Sequence, residues 1–239
     1  MATEKTELEW PYSPADFFEA PYRRQTDDYA LVADNGMVRV TLSVPSDPID
    51  AELQSRITKA IEGLFRIRQL QVHRSFALES ARLHQHRTGG TSLIVMSPFE
   101  ATLRPSGNLD SVQNDASGAV VRDTKFIDSM TPKLAHSPQL MALLQSYKAA
   151  VEDPANELVH LYEIRDALSE HYGGDAEARQ KLRITKTDWS RLGELANDAP
   201  LKEGRHRGGH PELRHATAAQ LGEARKIARC LIEEFANQP

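Results

Sequence analysis

The apolar residues of this 239-residue chain change period once. Before residue 104 the clearest pattern is alternation. After Pro138 apolar residues recur every three or four positions to the end of the chain. Alternation marks a half-buried strand, and the longer period marks an amphipathic helix. A chain that separates the two patterns along its length predicts an α+β protein. The expected architecture is a small mixed β-rich N-terminal domain followed by an all-α helical bundle.

Val38, Val40, Leu42 and Val44 alternate with Arg39, Thr41 and Ser43. Asp34-Asn35-Gly36 supplies turn chemistry ahead of them, so a hairpin of 29–33 with 37–44 is expected. Pro45-Ser46-Asp47-Pro48 breaks the strand, and Leu53, Ile57, Ile61 and Leu64 predict a helix over 49–64. Leu70, Val72, Phe76 and Leu78 fall on one face of a further strand. Leu83 and Leu93 to Met96 suggest two more around Gly89-Gly90. Residues 1–20, with charges from Glu4 to Glu9 and then Trp10, Tyr12, Phe17 and Phe18, read as an N-terminal arm that docks. The mixed domain is then 21–104. Ser, Gly, Asn and Asp over 105–123 place a loop or linker at 105–136.

The bundle, 137–239, begins with a stripe of Leu140, Leu143, Leu144, Tyr147 and Val151. Asp153-Pro154 opens a second helix that stops at Gly173-Gly174. Asp175 caps a short third, and Thr187 or Asp188 a fourth carrying Trp189, Leu192 and Leu195. The last helix begins near Thr217 and carries Leu221, Ala224, Ile227, Ala228, Leu231 and Phe235, with Cys230 opposite.

The formal net charge of −5 excludes a chain coated in basic residues. One cysteine excludes an intrachain disulfide and a cysteine-built zinc site. No apolar run approaches the roughly 18 residues that span a bilayer, and residues 1–10 lack a signal peptide's apolar core. A cytoplasmic protein with no membrane partner is expected. His84-x-His86 puts two imidazoles on one strand face, but no carboxylate cluster completes a set and Arg87 would repel a cation, so no metal is expected. Nor is a cofactor: no Gly-rich phosphate loop follows a strand, and no Gly-x-Ser-x-Gly elbow exists.

Charge is uneven within the bundle. Residues 152–198 hold 11 acidic and 6 basic side chains, a net −5, whereas 202–229 hold 7 basic and 3 acidic, a net +4. The junction is Asn197-Asp198-Ala199-Pro200-Leu201-Lys202-Glu203-Gly204-Arg205-His206-Arg207-Gly208-Gly209-His210-Pro211. Arg205 and Arg207 suit forked hydrogen bonds to phosphate. His206 and His210 are of the type that exchanges protons near neutrality. Asn197 stands at the segment's entry. The plain structural alternative is a solvated basic loop that complements the acidic helices before it. Arg165 falls inside the apolar stripe of its helix, between Leu161 and Leu168. It either lines a polar pocket with Tyr162 and the 197–210 loop, with Glu194, Asn197 or Asp198 as partner, or covers apolar surface with its stem.

Arg205 to His210 is Arg-x4-His, and residues 137–239 resemble HEPN domains in this motif and in their helical setting. The resemblance implies a helical bundle that acts on RNA and commonly forms a homodimer, with the Arg and His near the end of one helix. The family commonly has Asn after the Arg, where this chain has His206. Carried over, Arg205 would stabilise transition-state charge and His210 would be the general acid or base. Two functions follow. One is a binding protein whose Arg165, Asn197, His206 and Arg207 join in holding RNA or a nucleotide. The other is a metal-independent endoribonuclease with Arg205 and His210 as the catalytic pair.

Overall fold

Asn35 and Gly36 both take positive φ, 45° and 76°, and reverse the chain between two strands. In the computed structural model, which describes residues 3–46, 48–87, 90–95, 116–134, 136–205 and 212–238, those strands are β3 (Tyr29–Asp34) and β4 (Met37–Leu42). They sit in an antiparallel sheet with β1 (Thr3–Ser13), β2 (Tyr22–Gln25), β5 (Ala77–Leu78), β6 (Arg82–Arg87) and β7 (Gly90–Val95). The order is β2-β3-β4-β1-β6-β7, and β5 adds to the end of β1. The expected hairpin is present. Val44, expected on its buried face, lies beyond β4 and is 75% exposed.

Residues 1–20 carry more than an arm, because β1 lies inside the sheet between β4 and β6. Thr6, Leu8, Trp10 and Tyr12 are buried at period two. The charges between them occupy the opposite face and are matched across the strands. Glu9 pairs with Arg39 at 3.1 Å and with His84 at 3.1 Å. Glu7 pairs with His86 at 2.9 Å and accepts from Thr41 Oγ1 at 3.2 Å. Opposite charges on neighbouring strands make a charged strand stable, although its composition suggests a solvated tail.

Helix α1 (Ala51–Val72) runs past the expected end at 64, so the strand expected through Leu70 and Val72 is helical; Ala77–Leu78 alone is extended. Its buried stripe runs from Ile57, Ile61, Leu64 and Phe65 to Arg68, which is 3% exposed. Arg68 Nε donates to the Phe17 carbonyl at 3.2 Å. A guanidinium in the stripe position interrupts the apolar period and hides the helix from a pattern search. Phe65 joins helix to sheet and loop. Its ring centroid lies 5.1 Å from those of Tyr12, Phe18 and Phe76, and 5.4 Å from that of Phe17.

Helix α2 (Ala116–Leu134) fills part of the expected 105–136 linker; 105–115 lies outside the described residues. Contacts divide the chain into two units, Met1–Arg68 with Arg74–Ile127, and Gln69–His73 with Asp128–Pro239. The protein is therefore α+β, with the β-rich unit first and the helical unit second.

The helical unit contains α3 (Pro138–Glu152), α4 (Glu157–Tyr172), α5 (Asp175–Leu182), α6 (Lys186–Gly193) and α7 (Ala218–Ala236). Helix α4 packs against α3, α5 and α7. Its ends are set locally. Pro154–Asn156 forms a 3-10 turn before it, and Gly173 ends it with φ 82°. Helix α6 is capped by Thr185, whose Oγ1 accepts from the Asp188 amide at 3.0 Å, rather than by Thr187 or Asp188. Thr217 and Gln220 make a reciprocal capping box at α7. Among the described residues, no helix is long and apolar enough to cross a membrane.

Phe65→Ala should cost about 3–5 kcal/mol, the usual range for emptying a buried phenylalanine site. Urea unfolding followed by circular dichroism measures it. A loss below about 1 kcal/mol would mean that the aromatic cluster does not organise the first unit.

Candidate functional site

Tyr162, Arg165, Asp166 and Ser169 recur at three- and four-residue spacing on α4, which places them on one face. The Arg165 guanidinium carbon lies 5.0 Å from the ring centroid of Tyr162 and 5.0 Å from that of Trp189 on α6. Its Nη1 donates to the Tyr162 hydroxyl at 3.3 Å, and its Nη2 to Asp175 at 2.6 Å. The partner is thus Asp175, at the start of α5, rather than Glu194, Asn197 or Asp198. Asp175 also accepts from Ser169 at 2.7 Å. Burial pushes the Asp175 carboxyl up, but the hydrogen bonds from Ser169 and Arg165, with the Trp189 indole N–H nearby, outweigh it and leave the group below its ordinary value. Arg165 is 13% exposed at its side chain and is committed to these partners. It works as a pillar beneath Tyr162 rather than as an open contact.

Arg205 rests on the same tyrosine. Its guanidinium carbon lies 4.7 Å from the Tyr162 centroid, and its Nη1 donates to Asp166 at 3.2 Å. Unlike Arg165, its side chain is 40% exposed. The segment that delivers it is closely fitted. Glu194–Asp198 forms a π-helical turn, closed by the Ala199 amide donating to the Glu194 carbonyl at 2.8 Å. The Arg205 amide donates to the Ala196 carbonyl at 2.8 Å, and a Cβ at Gly204 would stand 2.7 Å from that oxygen. The root of the loop is also tied. Leu201 bridges Arg214, the Lys202 amide donates to the Arg214 carbonyl at 3.0 Å, and the Glu203 carboxylate accepts from the Ala216 amide at 2.9 Å.

Of the candidate residues, Arg165 and Arg205 come together on Tyr162. Arg205 stands in irregular chain rather than at a helix end. Asn197 lies in the π-helical turn, half-buried. His206, Arg207 and His210 lie outside the described residues. Tyr162, expected beside Arg165, is there, whereas Trp189, expected only within an apolar stripe, is the member that a search for charged ligands passes over. Cys230 is half-buried, and burial, with Glu234, Glu233 and Asp188 nearby, pushes its thiol up, which disfavours a nucleophilic role. Among the described residues no group of His, Cys, Asp or Glu is arranged to hold a metal ion. No family model matches the chain, and no curated protein or solved structure matches it either.

A second polar cluster lies deeper. Glu157, 2% exposed, accepts from Arg225 Nε at 2.6 Å and Nη2 at 2.9 Å. His73 Nε2 lies 3.4 Å from the same carboxylate, and its Nδ1 lies 3.1 Å from the Tyr147 hydroxyl. A carboxylate only accepts, which assigns the imidazole proton to Nε2 and makes Tyr147 the donor to Nδ1. Burial, helped by the Arg225 charge, brings His73 down to about 3, and burial pushes the Tyr147 hydroxyl up.

A Cβ at Gly193 would overlap Arg165 Nη1, and the ring, indole and carboxylate around the guanidinium prevent it from stepping aside. Gly193→Ala should therefore cost about 1–3 kcal/mol, although alanine is ordinarily the better helix former. In an Arg165→Met background most of that cost should vanish. Strict additivity in thermal unfolding would contradict the packing argument.

The neutral His73 gives a pH signature. With a folded value of about 3 against an ordinary 6.5, the unfolded chain takes up the proton first as pH falls. Stability should decline through that window by up to about 1.4 kcal/mol per pH unit. His73→Asn keeps a residue tolerant of the local φ of 47° and removes the titration. Its urea-derived stability should fall less steeply on acidification than that of the native chain, and parallel curves would refute the assignment.

Proposed function

We propose that the helical unit binds a phosphate-bearing anion, RNA in the first place, through residues 197–211, with Arg205 as the anchoring contact. The posture of Arg205 carries this reading. Its guanidinium lies over a ring and is steadied by one carboxylate, yet 40% of the side chain faces solvent. A planar donor fork already held in place loses less freedom when it meets two phosphate oxygens. Arg205 also stands within the net +4 stretch that follows the acidic helices. The HEPN resemblance of the Arg205–His210 motif supports RNA over other anions.

Fluorescence anisotropy with a labelled single-stranded RNA over a salt series tests the reading. Arg205→Ala should weaken binding by roughly tenfold and flatten the log–log salt slope by about 0.7, the loss of one phosphate contact. Absence of binding at low salt, or an unchanged slope in the variant, would overturn it. RNA shortening in EDTA that disappears in His210→Ala would make the protein the endoribonuclease rather than a binder alone.

A further inference from the structure

We infer that Lys202 and His215, at the root of the same segment, form a proton-linked contact for the RNA phosphate backbone; the inference rests on the RNA-binding reading above. Glu203 is 8% exposed, and its two carboxylate oxygens are divided between a backbone and a side-chain donor. One accepts from the Ala216 amide at 2.9 Å, the other from His215 Nδ1 at 2.8 Å. The imidazole it holds is 73% exposed. A buried carboxylate therefore fixes the orientation of a solvent-facing histidine. Burial pushes the Glu203 carboxyl up, but the Ala216 amide and His215 pull it below its ordinary value, so it stays ionised behind the ring.

The outer nitrogen carries the argument. With Nδ1–H aimed at Glu203, Nε2 of the neutral ring is an acceptor, and the exposed Lys202 ammonium lies 3.3 Å from it. In this resting arrangement the ammonium donates to the imidazole, and the pair holds a single positive charge. Protonating the ring removes its acceptor and leaves Glu203 as the carboxylate shared by two like charges 3.3 Å apart, which is unfavourable without a further counter-ion. A phosphodiester supplies it. The ammonium turns to one non-bridging oxygen. Nε2 takes a proton from solvent and donates to the other, and Glu203 behind Nδ1 balances the imidazolium. Among the described residues, the charged groups in contact with His215 are Glu203 and Lys202 at its ring, and Arg214, whose Nη1 donates to the His215 carbonyl at 3.4 Å. The backbone bonds between Lys202 and Arg214 hold the pair in register, so the two donors are presented together.

RNA binding should then strengthen as pH falls, by at most about tenfold per pH unit for one proton taken up. Anisotropy at several pH values, together with calorimetry in two buffers of different ionisation heat, measures the uptake directly. The native chain should take up a fraction of a proton per RNA bound. His215→Gln should bind more weakly and lose most of the uptake, and Lys202→Gln should bind more weakly at every pH. Arg205→Ala should lose affinity while keeping the pH dependence, which separates this inference from the reading it builds on. A histidine that merely braced the loop would leave the proton count unchanged on substitution. The proposal is overturned if the native chain shows no uptake, or if His215→Gln retains it. Inorganic phosphate in place of RNA is the remaining arm. Uptake with phosphate but none with RNA overturns the RNA assignment, and uptake with RNA supports it.

Discussion

Glu157 brings a carboxylate into a site that is 2% exposed, and the helical unit is arranged around that charge. An ionised group at such depth is tolerable only when it is paired and hydrogen-bonded. Arg225 on α7 meets it with two parallel bonds, and His73, the residue after α1, approaches with Nε2 at 3.4 Å. Glu157 opens α4, so its charge also sits where a helix N-terminus favours an anion. One carboxylate thereby sets the register of α4 against α7 and against the 69–73 segment. Tyr147 closes the network from α3 through the far nitrogen of His73. Removing Arg225 would leave the Glu157 carboxylate buried without its charged partner, at a cost well beyond that of a surface pair.

The same helix carries the candidate site one turn further on, and there two arginines illustrate what position does to one side chain. Arg165 is enclosed by Tyr162 and Trp189 and bonded to Asp175. Arg205 lies over the ring of the same tyrosine and remains open to water. The first stiffens the ring, and the second rests on it. Part of the acidic stretch that precedes the basic segment is matched within the helical unit. Asp166, Asp175 and Glu157 each hold an arginine of the helical unit. The contrast between −5 and +4 along the sequence reflects an internal complementarity as much as an outward-facing field.

What sequence could reveal follows from the range of each interaction. The Asp34–Gly36 turn, the Gly173 stop and the Thr217 cap are satisfied by neighbours in the chain, and they are legible from local residues alone. Strand β1 was obscured because Glu7 and Glu9 find their partners on β4 and β6, far away in sequence. Arg68 hid the second half of α1 for a related reason, since its partner is the carbonyl of Phe17. In the site, Arg165 announced itself as a charge within an apolar stripe, but its partner did not. Asp175 reads as a helix cap, whereas Gly174 takes that place and the carboxylate reaches back to α4. Glu157 gave no signal, because a glutamate in the first turn of a helix is ordinary and only its burial makes it unusual.

The Asp166–Arg205 pair is the weakest link of the site, and its weakness suits a binding surface. Both side chains are close to half exposed, 47% and 40%, and exposed pairs contribute about 0–1 kcal/mol. An approaching phosphate can draw the guanidinium away from Asp166 at that small cost. The Tyr162 ring, which Arg165 also contacts, would stay in place through such an exchange. On the RNA-binding reading proposed above, Asp166 would be the stand-in acceptor that keeps Arg205 over the ring until the paired non-bridging oxygens of a phosphodiester replace it, and a run of phosphodiesters would offer that exchange repeatedly along its length.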